Sequence, residues 1–387
     1  MRPSIDSKLP RVGTTIFTVM SRLAAEHGAI NLAQGFPDFE PPARLTELAD
    51  HHLRGRGGAG NQYAPLAGLP SLRQAVAAKL AEYYGCQVDP DTDITVTSGA
   101  TEALFSAVQA IVHAGDEVIL LDPAYDSYEP AVALAGGRAV HVPLQRPGFG
   151  IDWQRLQDAL SPRTRLLIVN FPHNPSGATL GRDDLQRLAA LLRDTPVFVL
   201  ADEVYEHMLY DGRRHHSLLS HAELAQRSLV VSSFGKTYHA TGWKVGYCVA
   251  PAALTEEFRK VHQYVQFVVA TPLQAAIADF MRECPAHARE LPAFYQAKRD
   301  HFARLLGETR LRFEPAHGTY FQLVDYSAVS DLPDVEFARL LTTRHGVAAI
   351  PISVFSAAGV AAERIVRFCF AKHTATLDAA AEKLRSL

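Results

Sequence analysis

The middle of the chain alternates short, unbroken apolar runs with stretches of helical periodicity. ITVTS (94–98), EVILLD (117–122), RLLIVN (165–170), VFVLAD (197–202), SLVVSS (228–233) and VGYCVA (245–250) are rich in Val, Ile and Leu. Runs of this length without polar alternation predict strands covered on both faces. Between them, TEALFSAVQAIVHAG (101–115) sets Leu104, Val108, Ile111 and Val112 on one helical stripe that Gly115 can close. The alternation predicts an α/β fold with a mostly parallel central sheet sandwiched by helices. From about residue 253 the pattern shifts to longer helices and one late strand, RIVRFCFA (364–371), which predicts a smaller α+β domain at the C terminus.

Length supports that division, because 387 residues are many for a single core. A hydrophobic content of 48% and a charged content of 20% are globular values. A net charge of −3 gives no signal for nucleic acid. No apolar run approaches the ~20 residues of a membrane span, and MRPSIDSKLPRVG lacks the apolar centre of a signal peptide. A cytoplasmic location is expected. The four cysteines form no CxxC pair and read as reduced thiols. No metal site is expected, and the pairs His51-His52 and His215-His216 read as surface. GRGGAG (55–60) spells a dinucleotide fingerprint but lacks the strand before and the helix after it, so it reads as a loop.

Ligands of open α/β sheets bind beyond the carboxyl ends of the strands, so the residues after each run matter most. TSGATEAL (97–104) leads into a helix whose free N–H groups can hold an anion. DPAYDSY (122–128) offers Tyr125 as an aromatic plate. NFPHNPSG (170–177) presents Asn174, and its Asn174–Pro175 bond is predicted to be cis. In VFVLADEVYEH (197–207), Asp202 leaves an apolar strand and needs a cation or a proton, and Tyr205 follows three residues later. Arg367 sits inside an apolar strand and must meet an anion, either a substrate carboxylate or an internal Asp or Glu. SSFGKTYHATGWKVGY (232–247) embeds Lys236 and Lys244 among small and aromatic residues. Each feature also has a purely structural reading. Together they suit a flat, phosphorylated, cationic ring bearing an aldehyde, which is pyridoxal 5′-phosphate.

NFPHNPSG, ADEVYEH and SSFGKTYHATGWKVGY, in that order, resemble the signature blocks of the class I/II aminotransferases, fold type I. The likeness runs from INLAQGFPDFEPP (30–42) and NQYAPLAGLPSLRQAV (61–76) to RIVRFCFA. Its wording is similar to the kynurenine/glutamine transaminase branch and, within it, to bacterial methionine aminotransferases. NFPHNPSG stands where many relatives have NPxNPTG, but Asn174, Pro175 and Gly177 are kept.

The resemblance implies three segments: 1–45 as an N-terminal arm and part of the small domain, 46–285 as the cofactor-binding domain, and 286–387 as the C-terminal small domain. It makes Lys236 the Schiff-base lysine and Asp202 the partner of the pyridinium nitrogen. Tyr205 and Asn174 would bond the phenolate oxygen, and Tyr125 would stack on the ring. The backbone of Ala100 and Thr101, with Ser233 and Lys244, would hold the phosphate, and Tyr63 would reach it from the second subunit of a homodimer. Arg367, Asn174 and the Gly35 backbone would hold the substrate carboxylate, with Ile16 and Phe17 as an apolar lid. The implied reaction moves an amino group between amino acids and 2-oxo acids by ping-pong kinetics, and an apolar pocket favours methionine or aromatic donors over aspartate. A β-lyase acting on cysteine conjugates would use the same cofactor residues. A ligand-sensing regulator would need a DNA-binding domain, for which the sequence before residue 30 leaves no room.

Overall fold

Seven strands build the central sheet: β1 Ile94–Thr97, β2 Glu117–Asp122, β3 Arg138–Pro143, β4 Thr164–Asn170, β5 Phe198–Asp202, β6 Ser228–Ser233 and β7 Gly246–Val249. The computed structural model describes residues 5–58, 60–357 and 364–387. Successive residues of each run serve opposite layers. Val118, Leu120, Leu166, Ile168 and Leu200 pack with Leu104 and Val108 of the helix Gly99–Ile111. Ile119, Leu121, Leu167, Val169 and Val199 pack on the other side with Leu45, Leu72 and Val76. Each such buried aliphatic side chain contributes about 1.5–3 kcal/mol, so both faces must stay covered and neither tolerates a polar residue.

The strand order is β1-β7-β6-β5-β4-β2-β3. β2, β3, β4, β5 and β6 run parallel, while β7 is antiparallel to both β6 and β1. The carboxyl ends of β1, β2, β4, β5 and β6 therefore share one edge of the sheet, and the amino end of β7 joins them there. That reversal is why Lys244 precedes its strand while the other polar residues follow theirs. The chain order turns back between β2 and β4, the kind of crevice where α/β sheets bind ligands.

Two expectations need correction here. The helix begun at Gly99 ends at Ile111 and not at Gly115, because Val112 is already extended. The shift of pattern near residue 253 does not begin the second unit: Phe258 of Ala252–Val265 and Ile277 and Phe280 of Thr271–Glu283 pack on the central sheet's layers. A separate cluster starts with Leu291 and Tyr295 of Ala286–Leu306. It encloses a three-stranded antiparallel sheet of Ile350–Pro351, Ile365–Cys369 and Phe321–Asp325, and it draws in Met20 and Ala24 from the N-terminal helix Ile16–Glu26. No described helix is long and apolar enough to cross a membrane.

The histidine pairs are not simply surface. His52 is buried and meets Asp279 at 2.7 Å, and His215 meets Glu203 at 2.8 Å. GRGGAG follows the helix Ala43–Leu53 and opens no helix, as expected, with Ala59 outside the described residues. Residues 1–4 of the N-terminal stretch also lie outside them.

Candidate active site

The shared edge of the sheet opens into a cavity of about 330 Å³. Phe17, Gly35, Ala100, Thr101, Tyr125, Asn174, Asp202, Tyr205, Ser233, Lys236, Lys244 and Arg367 all line it. Tyr63 does not; it is 79% exposed, its ring against Phe267. Ile16 of the expected lid is also absent from the lining, and Phe17 stands there by itself.

Three cations and one carboxylate, Asp202, line the cavity. Asp202 lies opposite Asn170 in the β4–β5 register. Its carboxylate accepts a hydrogen bond of 2.7 Å from the Tyr128 hydroxyl, and a longer one from the Val204 N–H. Burial pushes its pKa up to about 6 despite those donors. Among the described residues no arginine pairs with Asp202. Burial likewise lowers the Lys236 amine to about 8, with Lys244 and Arg367 pushing the same way. Its Nζ lies 3.0 Å from the Tyr320 hydroxyl and 3.4 Å from the Gly35 carbonyl oxygen.

The opposite end of the cavity is built for an anion. The side chain of the N-cap Ser98 accepts no hydrogen bond from the helix Gly99–Ile111, whose first-turn N–H groups have no intrahelical partner. Gly99 has φ +69°, and a Cβ there would stand 3.1 Å from Lys244 Nζ. Gly246 is needed for the same approach, since its Cβ would fall 2.9 Å from the Gly99 carbonyl carbon. Lys244 itself holds φ 53°, which turns it back over the helix start beside Ser233.

Arg367 is 1% exposed. It donates to Asn174 Oδ1 at 2.7 Å and to the Ala33 carbonyl at 3.1 Å, and its guanidinium lies 3.8 Å from the centre of the Phe321 ring. Its Nε has no partner. Among the described residues it pairs with no Asp or Glu, so the internal-partner alternative falls away. A buried guanidinium short of an anion is costly, and a carboxylate has the geometry to satisfy one. The Asn174–Pro175 bond is cis, as expected.

Three further residues went unnoticed in the sequence. Asn170 accepts from the Asn174 N–H at 2.9 Å and donates to the Asp202 carbonyl at 2.8 Å, tying two strand ends together. Tyr128 holds Asp202, and Tyr320 holds Lys236. Asn170 and Tyr128 lay inside motifs already singled out. Tyr320 carries no such signal, since it stands just before a strand of the small sheet, far along the chain.

This donor set fits pyridoxal phosphate: an anion cradle at a helix start, a ring plate, a buried carboxylate at the far side and a lowered amine between. The profile described as "Aminotransferase class I and II" matches residues 27–384, and the chain belongs to that family and is an aminotransferase. It is 55% identical to methionine aminotransferase of Escherichia coli over 98% of each chain. The crystal structure of YbdL from Escherichia coli, for which a methionine aminotransferase function was identified, covers 100% of both chains with a TM-score of 0.96 and 55% identity. The N-succinyldiaminopimelate aminotransferase of Mycobacterium tuberculosis matches at TM-score 0.95 and 39% identity, over 99% of this chain and 100% of its own. Human kynurenine–oxoglutarate transaminase 1 is 37% identical over 94% of this chain and 93% of its own.

Proposed function

We propose that this aminotransferase uses pyridoxal 5′-phosphate to move the amino group of an apolar L-amino acid, methionine foremost, to a 2-oxo acid. The observation that carries the reading is the cavity's balance of three cations to one carboxylate, with the lowered Lys236 amine at its centre. Bound there, the cofactor supplies an electron sink for the bond that breaks at the substrate Cα. Ser233, Lys244 and the N–H groups of Ala100 and Thr101 bind its phosphate. Asp202 keeps the ring nitrogen protonated, Tyr205 and Asn174 hold the ring oxygen, and Tyr125 covers the ring. Arg367 clamps the substrate carboxylate with the Gly35 backbone and so fixes the direction of the Cα–H bond. Lys236 takes that proton at Nζ and hands it back on the other side of the reaction.

The donor preference follows from the charge near Arg367. Its guanidinium is surrounded by Phe17, Phe321 and Phe355, and a second carboxylate would find no second arginine there. The relative at 55% identity, a methionine aminotransferase, supports the same choice. We place the cofactor domain at 46–285, the small domain at 286–387 and an arm at 1–45, in a cytoplasmic homodimer whose exposed Tyr63 reaches the partner's site. Comparing kcat/KM for methionine, phenylalanine, glutamine and aspartate tests the donor; methionine leads on this account, and a preference for aspartate overturns it. Pyruvate and ammonia release from cysteine conjugates without amino transfer would mark a lyase instead.

A further inference from the structure

From the packing around Lys236 we infer that Tyr320 is a positioning residue that aims the lone pair of the Lys236 amine into the cavity. The inference rests on Lys236 acting as the base. Tyr320 is fully buried, and its hydroxyl oxygen lies 2.6 Å from the Gly35 carbonyl oxygen. Two oxygens that close need a proton between them, and only the phenol has one to give. Its proton is thus committed to Gly35, and the phenol oxygen is left as an acceptor.

Lys236 Nζ, 3.0 Å from that oxygen, must therefore turn an N–H toward it. The Gly35 carbonyl oxygen, 3.4 Å from Nζ and 2.6 Å from the phenol oxygen, lies on the same side of the amine and is met by the same N–H. In a neutral amine the lone pair cannot share that direction, because both oxygens there present lone pairs of their own. It is left pointing away from both oxygens, on the side where Lys236 lines the cavity. When the Cα–H bond breaks, its electron pair stays with the substrate side and its proton becomes the third N–H of Lys236. The phenol oxygen then accepts from an ammonium, a stronger bond than before the transfer. The Tyr320 ring is held edge-on by Tyr205 and Phe321 at 5.2 and 4.9 Å, so the hydroxyl is a fixed reference point. The hydroxyl also fixes the Gly35 peptide, which the proposed carboxylate site uses.

Tyr320→Phe removes one oxygen and keeps the ring. Two readouts are needed. In the cofactor-free protein, competitive labelling with acetic anhydride across pH gives the titration midpoint of the Lys236 amine; it should fall, because the ammonium has lost an acceptor. In the holoenzyme, kcat should drop about tenfold, the scale of lost orientation, with KM unchanged. The isotope effect with α-deuterated L-methionine should grow as proton transfer becomes slower. A general packing role would lower the melting temperature without moving the midpoint or the isotope effect. Placing 3-fluorotyrosine at position 320 weakens the oxygen as an acceptor while keeping its bulk, and should give intermediate values even if the Phe variant does not fold. Wild-type midpoint, kcat and isotope effect in either variant would overturn the inference. Turnover retained by Lys236→Ala would instead overturn the base assignment beneath it, so the two failures are distinct.

Discussion

Asp202→Asn should make the cofactor-free protein more stable while removing its activity. The carboxyl is raised from an ordinary 3.8 to about 6 by burial. At about 1.4 kcal/mol per pH unit, ionising it at neutral pH costs the fold about 3 kcal/mol. Asparagine carries no charge, and its oxygen can still accept from Tyr128. Its amide then faces the Val204 N–H, formerly a donor to the carboxylate, which takes back about 1 kcal/mol. The net gain is about 2 kcal/mol. With an unfolding entropy near 2.1 cal/mol/K per residue, a chain of 387 residues rises by about 2–3 °C.

The sign with pH is fixed. A raised acid holds its proton in the folded state between 3.8 and about 6, where the unfolded chain has released it. Wild-type stability therefore falls, relative to the variant, as pH rises through that window. Differential scanning calorimetry of both cofactor-free proteins should show no variant advantage near pH 4 and the full advantage above pH 6.5. A variant that is less stable at pH 7.5, or equally favoured at both ends, would refute the reasoning.

Other outcomes follow from the same geometry. Arg367→Ala should raise KM for amino donors and 2-oxo acids alike by about 100-fold, the scale of two lost charged hydrogen bonds; steady-state kinetics with both substrates checks it. The kcat–pH profile should rise with pH through a midpoint below that of an ordinary lysine, because burial favours the neutral Lys236 amine that accepts the proton; a flat profile from pH 6.5 to 9.5 would count against it. Glu206→Gln should destabilise the fold by about 3–5 kcal/mol in denaturant titrations. That buried carboxylate takes bonds from Lys79, Tyr84, Tyr247 and Ser232, and its loss of charge leaves the Lys79 ammonium unpaired.

Much of this architecture was legible in the sequence because buried parallel strands have to be continuous apolar runs. β3 escaped because it is an edge strand, half-exposed, with Arg138 and His141 breaking its run. The short strand Ile350–Pro351 has too few residues to show a period. The helices between 252 and 283 look like the start of a new unit by length alone; only packing reveals that Phe258 and Phe280 still serve the first core. The site residues that were legible stand at strand ends, where a polar group after an apolar run is conspicuous. Tyr128 and Tyr320 were not, because their roles depend on which neighbour they touch. A buried tyrosine in a sequence looks the same whether it fills space or orients an amine.

The central claim is that one lysine of SSFGKTYHATGWKVGY is covalent and the other electrostatic. Borohydride reduction of the protein loaded with pyridoxal phosphate, followed by peptide mapping, tests it directly. The pyridoxyl mass should sit on Lys236, with Lys244 unmodified. The label on Lys244, or on no lysine of the stretch, would contradict the account.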